Sequence, residues 1–150
     1  MMAYTHVAHN CIVGNNVIMS NVATLAGHVT VEDRAVIGGL AAVHQFCKIG
    51  RSAMIGGQAH VNQDVPPFMI VSGQPAYVFG LNSVGLARAG IPQAERSQLK
   101  KVFRILYRSG LSLQEAIATM EQELDSCEPV EHLMRFLRTA ERGILRTPKN

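Results

Sequence analysis

A strict six-residue repeat occupies the first half of the 150-residue chain. Every sixth position from residue 7 to residue 61 is aliphatic or methionine, and the position four residues further on is small or apolar. The first set is Val7, Val13, Met19, Leu25, Val31, Ile37, Val43, Ile49, Ile55 and Val61; the second is Cys11, Val17, Ala23, Val29, Ala35, Ala41, Cys47, Ala53, Ala59 and Val65. This period is neither helical nor that of an ordinary strand. It is typical of the hexapeptide β-helix, a triangular coil with three hexads per turn and the aliphatic residues inside.

The composition agrees with this fold and limits the functional classes. Hydrophobic residues make up 47% of the chain but aromatic residues only 5%, which suits a tightly repeated core. A net charge of +3 is too small to predict nucleic-acid binding. The sequence has no charged-then-apolar leader and no apolar run near the ~18 residues of a membrane span. We therefore expect a soluble cytoplasmic protein without a transmembrane segment.

The cysteines are predicted to be unpaired. Cys11 and Cys47 occupy small inward positions two coils apart. At about 4.8 Å per coil they are separated by roughly 10 Å, which is beyond the reach of a disulfide. With Cys127 they make an odd number without metal-type spacing, as expected in a reducing compartment.

The repeat ends near Val65, and the sequence predicts three regions: a β-helix over 1–66, an extended connecting segment over 67–90 and a helical domain over 91–150. Proline and glycine punctuate the second region. In the third, an apolar stripe predicts a first helix, Ser112 with Glu115 forms a capping-box pattern for a second, and Pro129 can open a third. The stripe consists of Leu99, Val102, Phe103, Leu106 and Tyr107.

Five of the six histidines share one edge of the predicted prism. Counted modulo the 18 residues of a coil, they fall between positions 6 and 10; they are His6, His9, His28, His44 and His60. Three interpretations stay open at this point. The column is polar surface, or it holds a metal as the histidines of β-helical carbonic anhydrases do, or it supplies a general base. The third is favoured because no carboxylate lies in this window, whereas the backbone N–H of Gly27, one coil beyond His9, can stabilise an oxyanion.

Six stretches resemble the UDP-N-acetylglucosamine O-acyltransferase family of lipid A biosynthesis. They are HVAHNCIVGNN, ATLAGHV, AVHQFCKIG, NQDVPP, GLARAG and YRSGLSLQEA, and the similarity runs through essentially the whole chain. The resemblance implies a left-handed parallel β-helix followed by helices, a homotrimer with sites between neighbouring prisms, and no cofactor or metal. It also implies transfer of an (R)-3-hydroxyacyl group from acyl carrier protein to the 3-hydroxyl of UDP-N-acetylglucosamine.

The resemblance assigns roles to individual residues. His9 is the expected catalytic base, and Gly27 is the expected oxyanion donor. Gly57 matches the position that limits acyl length. The expected substrate contacts are His6, His28, His44, Gln45, Asn82 and Arg88.

The chain departs from the family pattern in three places. Asn10 and Val84 stand where many relatives carry acidic residues. Relatives also have further β-helix coils before the position of Met1, so the chain corresponds to their C-terminal part. Two alternatives to the acyltransferase therefore stay open: a truncated, non-catalytic β-helix module that only trimerises, and a related acyltransferase with another sugar-nucleotide acceptor.

A basic stripe on the first predicted helix is a candidate docking face for the carrier protein. Its members are four residues apart: Arg96, Lys100, Arg104 and Arg108. Acyl carrier proteins are strongly acidic, so such a stripe would attract them in a salt-dependent way. An ordinary solvated helix face explains the same pattern.

Overall fold

The structure is a computed structural model that describes residues 1–148. Ten strands of two residues each follow one another at six-residue intervals. They are β1 His6–Val7, β2 Ile12–Val13, β3 Ile18–Met19, β4 Thr24–Leu25, β5 Thr30–Val31, β6 Val36–Ile37, β7 Ala42–Val43, β8 Lys48–Ile49, β9 Met54–Ile55 and β10 His60–Val61. Strands one coil apart pair in parallel, as in the register Val7 to Leu25 to Val43.

These strands form the three faces of a prism. Sheet A contains β1, β4, β7 and β10, sheet B contains β2, β5 and β8, and sheet C contains β3, β6 and β9. The left-handed parallel β-helix expected from the repeat and the resemblance is therefore confirmed, as are the helices that follow it. The inward aliphatic positions form the core: Leu25, Ile37, Ile49 and Ile55 have no exposed surface. In the first coil the same positions are 36% exposed at Val7 and 38% at Val13.

The chain turns each corner of the prism at a residue in the left-handed backbone region. Ten such residues, six apart from Tyr4 to Gln58, have φ between 54° and 66°. The coils remain hydrogen-bonded there, because the N–H of His28 donates to the carbonyl of His9 and that of Phe46 to the carbonyl of Gly27. Corner residues one coil apart consequently stack in columns, and this stacking places the histidines together.

The segment after the last hexad closes the end of the prism. Strand β11, Met69–Ser72, pairs in parallel with β9, and β12, Tyr77–Leu81, returns antiparallel to β11. The sequence predicts an extended conformation throughout 67–90, but a short helix, α1, spans Ser83–Arg88. It forms because the Asn82 side chain accepts a hydrogen bond from the N–H of Gly85 and so caps the first turn.

Three longer helices complete the chain: α2 Gln93–Arg108, α3 Leu113–Glu123 and α4 Glu128–Arg138. The predicted capping box is confirmed, with Ser112 and Glu115 each accepting from the backbone of the other. Helix α2 packs against α3 and α4, and beyond α4 the backbone of Leu145 returns to donate to the carbonyl of Asp64. Residues 149 and 150, which the predicted helical domain includes, lie outside the described part.

The structure bears on the predictions about the cysteines and about membrane-spanning helices. All three cysteines are free thiols, and burial raises the pKa of Cys47 to about 11, with the nearby Asp64 carboxylate as a second cause. Within residues 1–148, no helix is both long and apolar enough to cross a membrane.

Candidate active site

The corner between sheets A and B, which we call the histidine corner, comprises His9, Gly27, His28, Gln45 and Phe46. The rings of His9, His28 and Phe46 stack along it. The ring centroids of His9 and His28 are 5.1 Å apart with an interplanar angle of 87°. His28 in turn stacks on Phe46 at 4.9 Å and 18°. Phe46 is 53% exposed. No role was predicted for Phe46 from the sequence, although its spacing of 18 residues from His28 places it in the same corner column.

A hydrogen bond orients the imidazole of His9. Its Nδ1 lies 3.0 Å from Oδ1 of Asn10. An amide oxygen only accepts, so this contact requires the proton on Nδ1, and Nε2 of the neutral ring is the unprotonated nitrogen. Asn10 thus orients the ring but adds no negative charge beside it.

Gly27 lies directly against this ring. A β-carbon built on Gly27 would be 2.7 Å from Cε1 and 2.8 Å from Nε2 of His9, closer than real β-carbons approach other atoms. The imidazole in this position therefore requires glycine at position 27. Within the described residues the N–H of Gly27 donates to no acceptor, so it is available to a ligand at the ring edge.

The other histidines of the column surround this corner. His6 and His60 point outward from the first and last strands of sheet A. They lie in one row of paired residues, in which Thr24 and Ala42 stand between them. His44 is exposed, and its Nδ1 donates to the carbonyl of Gln45 over 3.0 Å, which leaves Nε2 free. No group of three or more His, Cys, Asp or Glu within residues 1–148 is arranged to hold a metal ion.

Asn82 and Arg88 lie on a different side of the prism. They border a cavity of about 810 Å³ over sheet C, next to the corner between sheets B and C. Asn82 is only 9% exposed; besides capping α1, its Nδ2 donates to the carbonyl of Ser52 over 3.0 Å. Its side chain is thus occupied in attaching α1 to the β-helix, whereas Arg88 is exposed. Val84 is 62% exposed at the same cavity.

Gly57 lies at the third corner, between sheets A and C. A β-carbon there would meet only the carbonyl oxygen of Gly39, at 3.4 Å, and the position is exposed. Unlike Gly27, then, Gly57 is not required by packing within this chain. In a single chain the expected site residues are therefore distributed over three corners of the prism and do not form one cleft.

The basic stripe on α2 is only partly free. Arg96 is half-buried, and its Nε donates to the carbonyl of Ile91. Lys100 and Arg104 are exposed, and the guanidinium of Arg108 lies 5.5 Å from the centre of the Phe103 ring. Three cations of the four are available for an acidic partner.

The sixth histidine, His132, joins an ion cluster that the sequence analysis missed. Its Nε2 lies 2.7 Å from Oε2 of Glu32. Beside this pair, the two terminal nitrogens of Arg51 donate to the two carboxylate oxygens of Glu128, and this lowers the pKa of Glu128. The cluster attaches α4 to sheet B. No local sequence pattern predicts this attachment, because the partners are distant in the chain.

The chain is similar to a family model, to curated proteins and to solved structures. Residues 64–145 match a family described as UDP N-acetylglucosamine O-acyltransferase, domain 2. Acyl-[acyl-carrier-protein]–UDP-N-acetylglucosamine O-acyltransferases from Verminephrobacter eiseniae and Thiobacillus denitrificans are 50% and 48% identical, over 97% of this chain and 57% of their own length. The crystal structure of a UDP-N-acetylglucosamine acyltransferase from Bacteroides fragilis superposes with a TM-score of 0.95 at 34% identity, covering 97% of this chain and 57% of that one. The chain thus spans little more than half the length of the curated relatives it matches.

Proposed function

Because the chain belongs to the UDP-N-acetylglucosamine O-acyltransferase family, we propose that it catalyses the first step of lipid A biosynthesis. An (R)-3-hydroxyacyl group passes from acyl carrier protein to the 3-hydroxyl of UDP-N-acetylglucosamine. The observation that carries the proposal is the contact between His9 and Gly27, which joins an unprotonated ring nitrogen to a free backbone donor. The relatives described above are named for this acceptor, and this favours it over another sugar nucleotide.

The proposed reaction proceeds through general-base catalysis. Nε2 of His9 takes the proton of the 3-hydroxyl while that oxygen forms a bond to the thioester carbonyl carbon. The carbonyl oxygen becomes an oxyanion, which accepts a hydrogen bond from the N–H of Gly27. When this intermediate collapses, the carbon–sulfur bond breaks, and the departing thiolate of the carrier takes from His9 the proton that came from the 3-hydroxyl. Protein groups thus supply every proton transfer, and the step requires no metal or cofactor.

His6, His28, His44 and Gln45 are proposed to contact the substrates around this base. His28 is held between the rings of His9 and Phe46, so its position is coupled to that of the base. His44 has its Nε2 free for a ligand. For Asn82 the burial of its amide supports an indirect contribution, in which it holds α1 so that Arg88 faces the diphosphate.

A homotrimer is part of the proposal. The histidine corner and the cavity beside Arg88 lie on different sides of one prism, so a single chain does not bring them together. Packing of one prism's corner against the face of the next would do so. We place the reaction in the cytoplasm, where a reducing environment suits three free thiols.

The carrier protein is proposed to dock on α2. Lys100, Arg104 and Arg108 present positive charge on its exposed face, and Arg96 extends the stripe although its Nε is already bonded. An acidic partner would be steered to this face in a salt-dependent way.

One assay tests the function. The purified chain is incubated with 3-hydroxyacyl carrier protein and UDP-N-acetylglucosamine, and its native mass is measured alongside. We expect acyl transfer that falls by about 10²- to 10⁴-fold in His9→Ala, at unchanged mass and melting temperature. His60→Ala, which removes an exposed histidine of the same column, is the matched control and retains activity. A trimeric chain without transfer would instead identify a non-catalytic module.

A further inference from the structure

The cavity over sheet C combines an apolar floor with charged sides. Its floor consists of Val36, Met54 and Ile70, which point outward from neighbouring strands in one register line. Arg88 borders it from α1, and Arg34 borders it from the corner between sheets B and C. Such a site suits a ligand that has both an anionic group and a flat or apolar portion.

The lining of this cavity includes two arginines and no carboxylate. Neither arginine takes part in the three salt bridges found among residues 1–148. Asp33 lies with Arg34 at the adjoining polar cavity, where its Oδ1 accepts from the N–H of Asn15 over 2.7 Å. Arg51, which lies close to Arg34 at a neighbouring polar cavity, is by contrast fully paired with Glu128. Two guanidinium groups facing one cavity repel each other unless an anion lies between them.

Both arginines are anchored to the same part of the β-helix. The backbone N–H of Arg34 donates to the carbonyl of Asn15 over 2.8 Å, in the corner column that continues to Ser52 one coil on. The carbonyl of Ser52 accepts from Asn82, the residue that caps α1 and so positions Arg88. The two side chains therefore start from fixed points on the lining of one cavity.

We propose that Arg34 is a second phosphate-binding residue, which holds the diphosphate of a nucleoside-diphosphate sugar together with Arg88. The identity of this ligand rests on the proposed function, whereas the pairing of the two arginines rests on the cavity alone. Guanidinium groups bind phosphate oxygens through two parallel hydrogen bonds, so two of them at one cavity match the two phosphates of such a ligand.

Titration calorimetry at low salt tests this with three probes: UDP-N-acetylglucosamine, uridine and inorganic pyrophosphate. Arg34→Gln removes the charge and keeps a shorter polar side chain, and Arg34→Lys keeps the charge without the fork. Arg135→Gln removes one charge from an exposed position of α4 as a control. We expect Arg34→Gln to weaken binding of the nucleotide sugar and of pyrophosphate by about tenfold and to leave uridine unchanged. Arg34→Lys is expected to lie between, Arg135→Gln to equal the wild type, and all melting temperatures to agree.

The outcomes separate this inference from the proposed function. If the wild type binds UDP-N-acetylglucosamine and Arg34→Gln binds it equally well, Arg34 has no such contact and the function is untouched. If only pyrophosphate binds, and does so through Arg34, the anion site stands and the proposed acceptor fails. Failure of the wild type to bind either phosphate compound overturns the assignment of Arg34.

Discussion

The imidazole of His9 rests on the α-carbon of Gly27, one coil further along the β-helix, so closely that a methyl group on Gly27 would lie 2.7 Å from Cε1 of the ring. We therefore predict that Gly27→Ala displaces the ring without unfolding the coil. A shift of about 1 Å at a catalytic group costs roughly a hundredfold in rate, so kcat should fall by about that factor. Acyl-transfer kinetics and the imidazole NMR signals of His9 measure the two effects.

Gly39→Ala is the control for this substitution. Its β-carbon would meet only the carbonyl oxygen of Asn21, at 3.4 Å, and it lies at another corner. It should leave both kcat and the His9 signals unchanged. An active Gly27→Ala enzyme with the ring still in place would contradict the contact.

Asn10→Asp adds the charge that Asn10 lacks beside Nδ1 of His9. The φ of 58° at this position suits aspartate as it suits asparagine, so the coil should tolerate the change. A carboxylate there favours the protonated imidazole, and the acid limb of the pH–activity profile should move to higher pH. Asn21→Asp, which adds the same charge at a distant corner, should leave the profile where it is.

Gly57→Met should shorten the preferred acyl chain. The open surroundings of Gly57 accept a β-carbon at 3.4 Å, so the coil should fold normally while the side chain occupies space beside it. We expect the ratio of kcat/KM for long to short 3-hydroxyacyl carriers to fall by tenfold or more. Gly80→Ala, where a β-carbon meets nothing within 4 Å, should not alter the ratio.

Arg104→Glu should weaken use of the carrier protein more than nucleotide binding. This arginine is exposed at the centre of the α2 stripe, and reversing its charge repels an acidic partner. At low salt we expect KM for the acyl carrier to rise severalfold, and the difference to shrink as salt is added. Arg135→Glu on α4 provides the same charge change elsewhere; equal kinetics of the two variants would argue against docking on α2.

Glu128→Gln should loosen the attachment of α4 in a pH-dependent way. The hydrogen bonds from Arg51 lower the pKa of Glu128 below its usual 4.5. Its contribution is therefore complete above pH 4.5 and is lost as the pH falls through the lowered value. Because Glu128 is largely exposed, we expect only about 0.5 kcal/mol at pH 7. Urea unfolding should show that the free energy of unfolding of Glu128→Gln differs less from that of the wild type at pH 3 than at pH 7. Glu141→Gln, at an exposed position, should unfold like the wild type at both pH values.

The six-residue period by itself determined the β-helix, its register and the column of histidines. Each hexad repeats the same local demands, an inward aliphatic residue and a small residue near the corner, so counting alone places His9 one coil before Gly27. The capping box of α3 was equally readable, because Ser112 and Glu115 satisfy each other's backbone within one turn.

Only the tertiary structure decided which of these residues are free to act. The sequence predicts that Asn82 contacts a ligand, but its side chain is hydrogen-bonded to the backbone of Ser52 and Gly85. These bonds depend on where the chain lies after it leaves the β-helix. The contact between Arg51 and Glu128 joins residues 77 positions apart, and Arg34 and Arg88 line one cavity that no local pattern describes. Periodic local interactions specify the coil, whereas contacts between distant segments depend on how α1 and α4 pack against it, and that packing distributes the site over three corners.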